Sequence, residues 1–417
     1  MEHLPSSDEL ISFMAEYSRA YIASGGPTSR LEDALAALGR RLGFASEVFA
    51  TPTGAFVSVT DPGMRPHTTI CRIKEGGINL ERLCWLEGIL DDLDAGKLSL
   101  YNARRILGSH HLSRPTYSDA LTLAAAFAAG FSLSYPAFGR AAPALASGLI
   151  GAATWWVTNP GLNKHISSSI FRDFIGCVVT LLLSAFFQLA FSRAFGPAPF
   201  EAYSIGGIII LVPGLALTTA IAELADQNLI SGTSKFMQAM LTLLALGLAY
   251  LLFSDLSASL GFTDTIISAR KIPIKPLLAA GFLAISMMCF GVILKVPRKA
   301  LPLAALTGIL GWSTLSLLNA SKYIATAPFL AALCVGLVAM TFGKRYRVPS
   351  QVFSVPGILA LLPGMLALTS IQSFALGRES SGLELAFRVA LTAGSITFGL
   401  FTARIPFAFS MKKQTHE

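Results

Sequence analysis

Charge is what this chain has least of. Only 13% of its 417 residues are Asp, Glu, Lys or Arg, where a soluble globular protein carries about 25%. The shortage is uneven: of 24 acidic residues, 15 fall in the first 119 positions and nine in the remaining 298. Cysteine is also sparse. There are five, none in a Cys-x-x-Cys pair, so neither a zinc site nor a disulfide framework is indicated. Cys71, Cys84, Cys177, Cys289 and Cys334 read as small apolar packing residues. No P-loop, no dinucleotide-binding glycine fingerprint and no Gly-x-Ser-x-Gly elbow occurs. The motifs of ATP-driven work, nucleotide-cofactor chemistry and hydrolase catalysis are therefore missing. No cofactor is implied, and no enzyme is expected. The opening residues, Met1 to Glu9, are polar and acidic, unlike a secretory signal. The net charge of +8 does not indicate nucleic acid, because no basic stripe with interleaved aromatics is present.

What is present in excess is apolar sequence, 53% of the chain. A transmembrane helix needs about 20 mainly apolar residues. Ten stretches qualify: 119–138, 141–158, 174–192, 203–225, 236–254, 276–294, 300–318, 324–343, 348–375 and 385–403. The ninth lies in an uncharged run from Val348 to Gly377 with Pro349, Pro356 and Pro363, which predicts a bent or broken helix. Counting Lys and Arg in the loops gives twelve on the side of the N-terminal region and seven on the other. The clusters at Lys295–Lys299 and Lys344–Arg347 weigh most. Basic loops face the cytoplasm, so both termini are expected there.

Two of these spans carry the same interruption. Pro199 to Gly214 aligns without a gap on Pro349 to Gly364, with seven identities in sixteen positions, and both segments end in Pro-Gly. Each runs into a hydroxyl cluster, Thr218-Thr219 and Thr369-Ser370. Breaking a helix at membrane depth frees backbone groups that have no water to bond. A matched pair of breaks is the mark of a transporter with its site at the breaks. Five spans is an odd number, so the second set enters from the opposite side. The expected fold is a polytopic α-helical membrane protein of ten transmembrane helices in two inverted five-helix repeats, with a small N-terminal α/β cytoplasmic domain. The divisions expected are 1–117 for that domain, 118–258 for the first membrane module and 259–417 for the second with a short tail.

Within residues 1–117 helices are expected at 7–24, 80–94 and 99–109, and strands at 47–51, 55–60 and 67–74. Pro52-Thr53-Gly54 reads as a turn between strands. Ser29-Arg30-Leu31-Glu32 reads as a capping box opening a helix that ends at Gly43. His67, His110 and His111 read as surface or linker residues, since no second pair at ligand spacing follows.

The candidate substrate-binding residues are Pro213, Gly214, Thr218, Thr219, Pro363, Gly364, Thr369, Ser370, Gln372 and Arg388. Helix N-termini at the breaks suit an anion such as an α-carboxylate. The hydroxyls and Gln372 suit a hydroxyamino acid, although Ser and Thr also bond back to their own helix. Arg388 offers planar two-pronged recognition of a carboxylate, or a pair with Glu384 one turn earlier. Glu223 is an ionisable group in a span, expected to face a cavity or partner, and is the candidate for proton coupling.

The run Gly26-Pro27-Thr28-Ser29-Arg30-Leu31-Glu32-Asp33-Ala34-Leu35, with Leu42-Gly43-Phe44 and Glu47 to Gly54 beyond it, resembles the head of the threonine/serine exporter family. Leu211-Val212-Pro213-Gly214-Leu215-Ala216-Leu217-Thr218 resembles that family's first Pro-Gly motif. Val355-Pro356-Gly357-Ile358 and Leu362-Pro363-Gly364 resemble its second module. The resemblance implies secondary active export of threonine and serine across the cytoplasmic (inner) membrane, coupled to protons. Some split members resemble exporters of succinate-like dicarboxylates, which stands as the alternative cargo. A membrane-anchored sensor or enzyme head is the alternative of another class. Partners are thus a small molecule, protons and the bilayer, with a homo-oligomer left open. Many members follow the first Pro-Gly with an Asn and then an Arg-Asp pair. Here those positions hold Thr219, Ala222 and Glu223, so the acid is kept and the other two are replaced.

Overall fold

The structure is a computed structural model that describes residues 6–61, 65–73, 76–108, 115–163, 166, 168–260, 276–318, 322–375 and 377–414. His110, His111, Lys164, Arg270, Lys271, Lys275 and the strand end expected at Lys74 lie outside the described residues.

The N-terminal part, here the head, contains α1 (Ser7–Ala23), α2 (Thr28–Arg41), β1 (Ala45–Thr51), β2 (Gly54–Thr60), β3 (His67–Arg72), α3 (Leu80–Asp94) and α4 (Leu100–Leu107). The strands form an antiparallel sheet in the order β1-β2-β3. Side chains alternate with the strand period of two. Ala50, Ala55, Val57, Val59 and Cys71 are buried in the core, while Phe49, Phe56 and Ile70 lie exposed on the other face. Thr51 pairs with Gly54 across Pro52-Thr53, and the Thr51 hydroxyl accepts the Gly54 amide at 3.1 Å.

Helix α1 opens on a capping box of Ser6 and Glu9. The box expected at Ser29–Glu32 does not form. Helix α2 starts two residues earlier, at Thr28, with Pro27 in the cap position and no side-chain cap from its own segment. Proline presets the φ needed on entry to a helix. The Glu32 carboxylate is held instead by the strand amide of Ala50, at 2.6 Å.

The remaining helices are α5 (Asp119–Phe138), α6 (Ala141–Thr158), α7 (Ser169–Phe195), α8 (Phe200–Leu211), α9 (Gly214–Ala225), α10 (Leu229–Ser259), α11 (Pro276–Ile293), α12 (Leu301–Leu317), α13 (Thr326–Tyr346), α14 (Gln351–Ile358), α15 (Gly364–Ala375) and α16 (Glu379–Gln414). A single 3-10 turn, Leu359–Leu361, follows α14. Among the described residues, α5, α7, α8 with α9, α10, α13 and α16 are long and apolar enough to cross a membrane. The pair α14 and α15, bent by 43°, makes a seventh candidate. Helices α11 and α12 are apolar but shorter, and α6 falls outside that set. Where ten spans were expected, length and composition thus support six or seven.

The membrane helices approach closely through small residues, as helices in lipid commonly do. Gly206 of α8 lies so near the Ser147 carbonyl of α6 that a Cβ there would overlap it. The Ser147 hydroxyl accepts the Gly206 amide at 3.0 Å.

The head is seated on this bundle. Its buried core continues into Val296, Ala300, Ala304, Ala339, Val352 and Phe353. Lys295 ends α11 in a left-handed conformation, φ 57°. The carbonyls of Leu294 and Lys295 then accept the first amides of α3, from Leu80 at 3.2 Å and Glu81 at 2.9 Å. The C-terminus of one helix thereby satisfies the N-terminus of another. The Tyr117 hydroxyl donates to the Val296 carbonyl at 2.7 Å, fixing the junction between head and α5.

Candidate functional site

Both Pro-Gly pairs interrupt helices. Proline lacks the amide an inner helical turn requires, so α8 stops at Leu211 and α9 restarts at Gly214. The turn after α14 stops at Leu361 and α15 restarts at Gly364. The restarts match: Leu217 donates to the Pro213 carbonyl at 3.0 Å, and Ala367 to the Pro363 carbonyl at 2.9 Å.

The two breaks touch each other. A Cβ built on Gly214 would lie 3.4 Å from the Gly364 Cα and 3.2 Å from the Leu362 Cβ. One built on Gly364 would lie 2.8 Å from Val212 Cγ1 and 3.7 Å from the Gly214 Cα. Glycine at both positions lets the backbones meet. Helices α9 and α15 both begin at this contact, so their first-turn amides and positive dipole ends gather in one place. The broken segments also run in opposite senses. Glu223, near the end of α9, and Gln351, the first residue of α14, both bond to the first turn of α2.

The hydroxyls beside the breaks are held within the protein. Thr218 is buried and donates to the Gly214 carbonyl at 3.1 Å. Thr219 donates to Ala216 at 3.1 Å, and the exposed Thr369 to Met365 at 2.8 Å. These three follow the back-bonding habit of helical Ser and Thr. Ser370 differs: it is buried and donates to Gly382 of α16 at 2.7 Å, tying the two helices together. Gln372 lies two residues further along α15, half-buried.

Glu223 is 4% exposed and is fully engaged. One carboxylate oxygen accepts the Thr28 hydroxyl at 2.5 Å. The other accepts the Thr28 amide at 3.3 Å and the Lys235 ammonium at 2.5 Å. A carboxylate from the membrane body thus caps the N-terminus of α2, where the helix dipole favours negative charge. Nine residues of α9 separate Glu223 from Gly214, about 13 Å at 1.5 Å per residue. It belongs to the seat of the head rather than to the break itself.

Residues 12–256 match the family profile for threonine/serine exporters, and residues 279–405 match a second, described as Threonine/Serine exporter, ThrE. The chain belongs to the threonine/serine exporter family. The family is one of amino-acid exporters, and this exporter is a multi-pass membrane protein. No solved structure matches it.

The exporter's Arg388 pairs with Glu384 one turn earlier, at 2.7 Å, on an exposed stretch of α16. That is the local alternative for this residue. Sequence reading missed Thr28, Arg30, Lys235 and Gln351 as interacting residues. Arg30 reaches Gln351 at 3.1 Å and Glu87 at 2.7 Å. Thr28 and Arg30 lie inside the head run that carries the family resemblance, which was the available signal. Their partners lie 195 and 321 positions away, beyond the reach of any local pattern. Asp226, just past α9, lies 3.9 Å from Arg404 of α16, and burial raises its carboxyl above the ordinary value despite that cation.

Proposed function

We propose that this protein exports threonine and serine from the cytoplasm by proton-coupled alternating access between two inverted five-helix halves. The observation that carries this reading is the contact of Gly214 with Gly364. Two helices that restart at one point offer converging amides to a substrate α-carboxylate. A backbone free of side chains leaves the contact able to part. Thr218 and Ser370 stand within two turns of it, and a hydroxyl substrate would compete for their present bonds.

The packing pattern supports two related halves. Helix α8 packs on α6 and α7 as α14 packs on α12 and α13. Gly207 faces Thr154 and Thr180, and Gly357, 150 positions later, faces Thr307 and Val335. The last helix of each half crosses to the other: α10 packs on α15 and α16 on α9. The modules are read as 118–258 and 259–417. The head and C-terminus are assigned to the cytoplasm of the inner membrane, because the head meets the loops with the basic clusters Lys295–Lys299 and Lys344–Arg347.

Glu223 is proposed as the coupling acid, acting through the head. Its protonation would end the charge pairing with Lys235 and weaken the cap on Thr28. The cytoplasmic end of α9 would then be released when a proton arrives. The test is uptake into inverted membrane vesicles carrying a pH gradient, with labelled serine, threonine and succinate offered separately. Gradient-dependent uptake of serine or threonine is expected. Uptake of succinate alone would transfer the cargo to dicarboxylates, and uptake of none would sink export.

A further inference from the structure

Between α1, α2 and α3 of the head lies a cleft of about 130 Å³, lined on its polar side by Tyr17, Tyr21, Arg30, Glu87, Asp91 and Asp94. At about 30 Å³ per water, it has room for a small metabolite. Three observations set it apart from an ordinary surface ion pair. First, Arg30 and Glu87 meet across it at 2.7 Å with unequal exposure, 46% for the cation and 13% for the acid. Second, the Tyr21 hydroxyl also donates to Glu87, at 3.4 Å. Third, Tyr17 is fully buried and its hydroxyl has no hydrogen-bond partner among the described residues. A buried phenol normally finds one.

We infer that this cleft binds a small zwitterionic α-amino acid, whose ammonium goes to Glu87 and whose carboxylate goes to Arg30 and the Tyr17 hydroxyl. A zwitterion is the class that inserts into an ion pair and leaves neither charge alone. A simple amine would strand Arg30, and a simple acid would strand Glu87. The guanidinium fork suits a carboxylate, and the phenol supplies the donor that the carboxylate's second oxygen needs. Arg30 also holds Gln351 at the start of the second broken span. Occupancy of the cleft therefore reaches the membrane body through one side chain. The inference stands independently of export, since the cleft lies wholly within the head.

The test uses the full-length protein in detergent. Trp155, Trp156 and Trp312 are replaced by Phe, leaving Trp85, two residues from Glu87, as the only tryptophan reporter. Titration with L-serine is expected to give a saturable change in Trp85 emission. Glu87→Gln and Tyr17→Phe are each expected to weaken it at least tenfold. Tyr17→Phe removes a hydroxyl that bonds nothing among the described residues, so this variant is expected to keep its fold and decides the matter if Glu87→Gln does not. Ethanolamine and lactate, which each lack one of the two charges, are expected to give no saturation. The inference is overturned by no saturable response up to about 10 mM, a range that covers weak metabolite binding. A response unchanged in both variants, or ethanolamine or lactate binding as well as serine, overturns it equally. Vesicle uptake without a Trp85 response would leave export standing and remove the cleft. A Trp85 response without uptake would do the reverse.

Discussion

The carboxylate of Glu223 caps a helix that begins 195 residues earlier, accepting both the amide and the hydroxyl of Thr28. The same carboxylate neutralises Lys235. One acid of the membrane body therefore joins three things: the end of a broken span, the start of the next helix and the head. Breaking such a pair on one side strands the other charge. Glu223→Ala is expected to lower stability by about 3 kcal/mol, read as a fall in the thermal midpoint of the purified protein. Thr28→Val removes a hydrogen bond to a charged group and is expected to cost about 2 kcal/mol. An unchanged midpoint in both variants would remove the contact from the account. In vesicles, Glu223→Gln is expected to abolish the response of uptake to the pH gradient. Retained coupling would show that another group carries the proton.

The glycine contact makes a sharper demand. Gly364→Ala places a methyl 2.8 Å from Val212 Cγ1, and Gly214→Ala places one 3.2 Å from the Leu362 Cβ. Overpacking of this kind costs about 1–3 kcal/mol, and Gly364→Ala is expected to be the worse of the two. Larger side chains, as in Gly214→Leu, are expected to hold the breaks apart and stop uptake while the chain still folds. Serine uptake alongside a thermal midpoint separates the two effects. Full uptake by Gly214→Leu would mean that the breaks need not meet during transport.

The hydroxyls divide by what they hold. Thr369 is exposed and, among the described residues, its hydroxyl bonds only its own helix, so Thr369→Val is expected to leave uptake within about twofold. That ratio corresponds to roughly 0.4 kcal/mol. Ser370 links α15 to α16, and Ser370→Ala is expected to cost about 1 kcal/mol of stability. Thr218 is buried one turn beyond the first break, and Thr218→Val is expected to impair uptake more than Thr369→Val. The reverse order would place the substrate on the other side of the contact.

In the head, burial raises the Glu87 carboxyl above its ordinary value, and nearby Asp91 adds to the effect while Arg30 opposes it. A carboxyl raised on folding stabilises the fold when protonated. That contribution is fully present below its unfolded value and is lost as pH rises through the raised one. Glu87→Gln is thus expected to match the parent at pH below about 4.5, the unperturbed carboxyl range, and to be the more stable at neutral pH. Thermal midpoints of both proteins across this window test it. A parent more stable than Glu87→Gln at neutral pH would show that the Arg30 pair outweighs the burial.

Much of this protein follows from local pattern. Leu80–Asp94 folds as the helix its spacing indicates, and Thr51 and Gly54 pair around the turn that Pro52 and Thr53 specify. The scarcity of charge beyond Asp119 identifies a chain that crosses a membrane, because lipid offers no partner for ions. Both Pro-Gly breaks are also written in the chain, since proline cannot donate the missing bond. Other features depend on residues far apart. The box expected at Ser29 and Glu32 gave way to Ala50 and Glu223, two partners that only folding brings near. Thr369 and Ser370 are neighbours in sequence, yet one turns outward and the other reaches α16, because a helix sends adjacent side chains about 100° apart. Sequence alone determined where the helices break. That the two breaks meet, and that Glu223 serves the head, was decided by packing, which sets distances between segments that no local periodicity encodes.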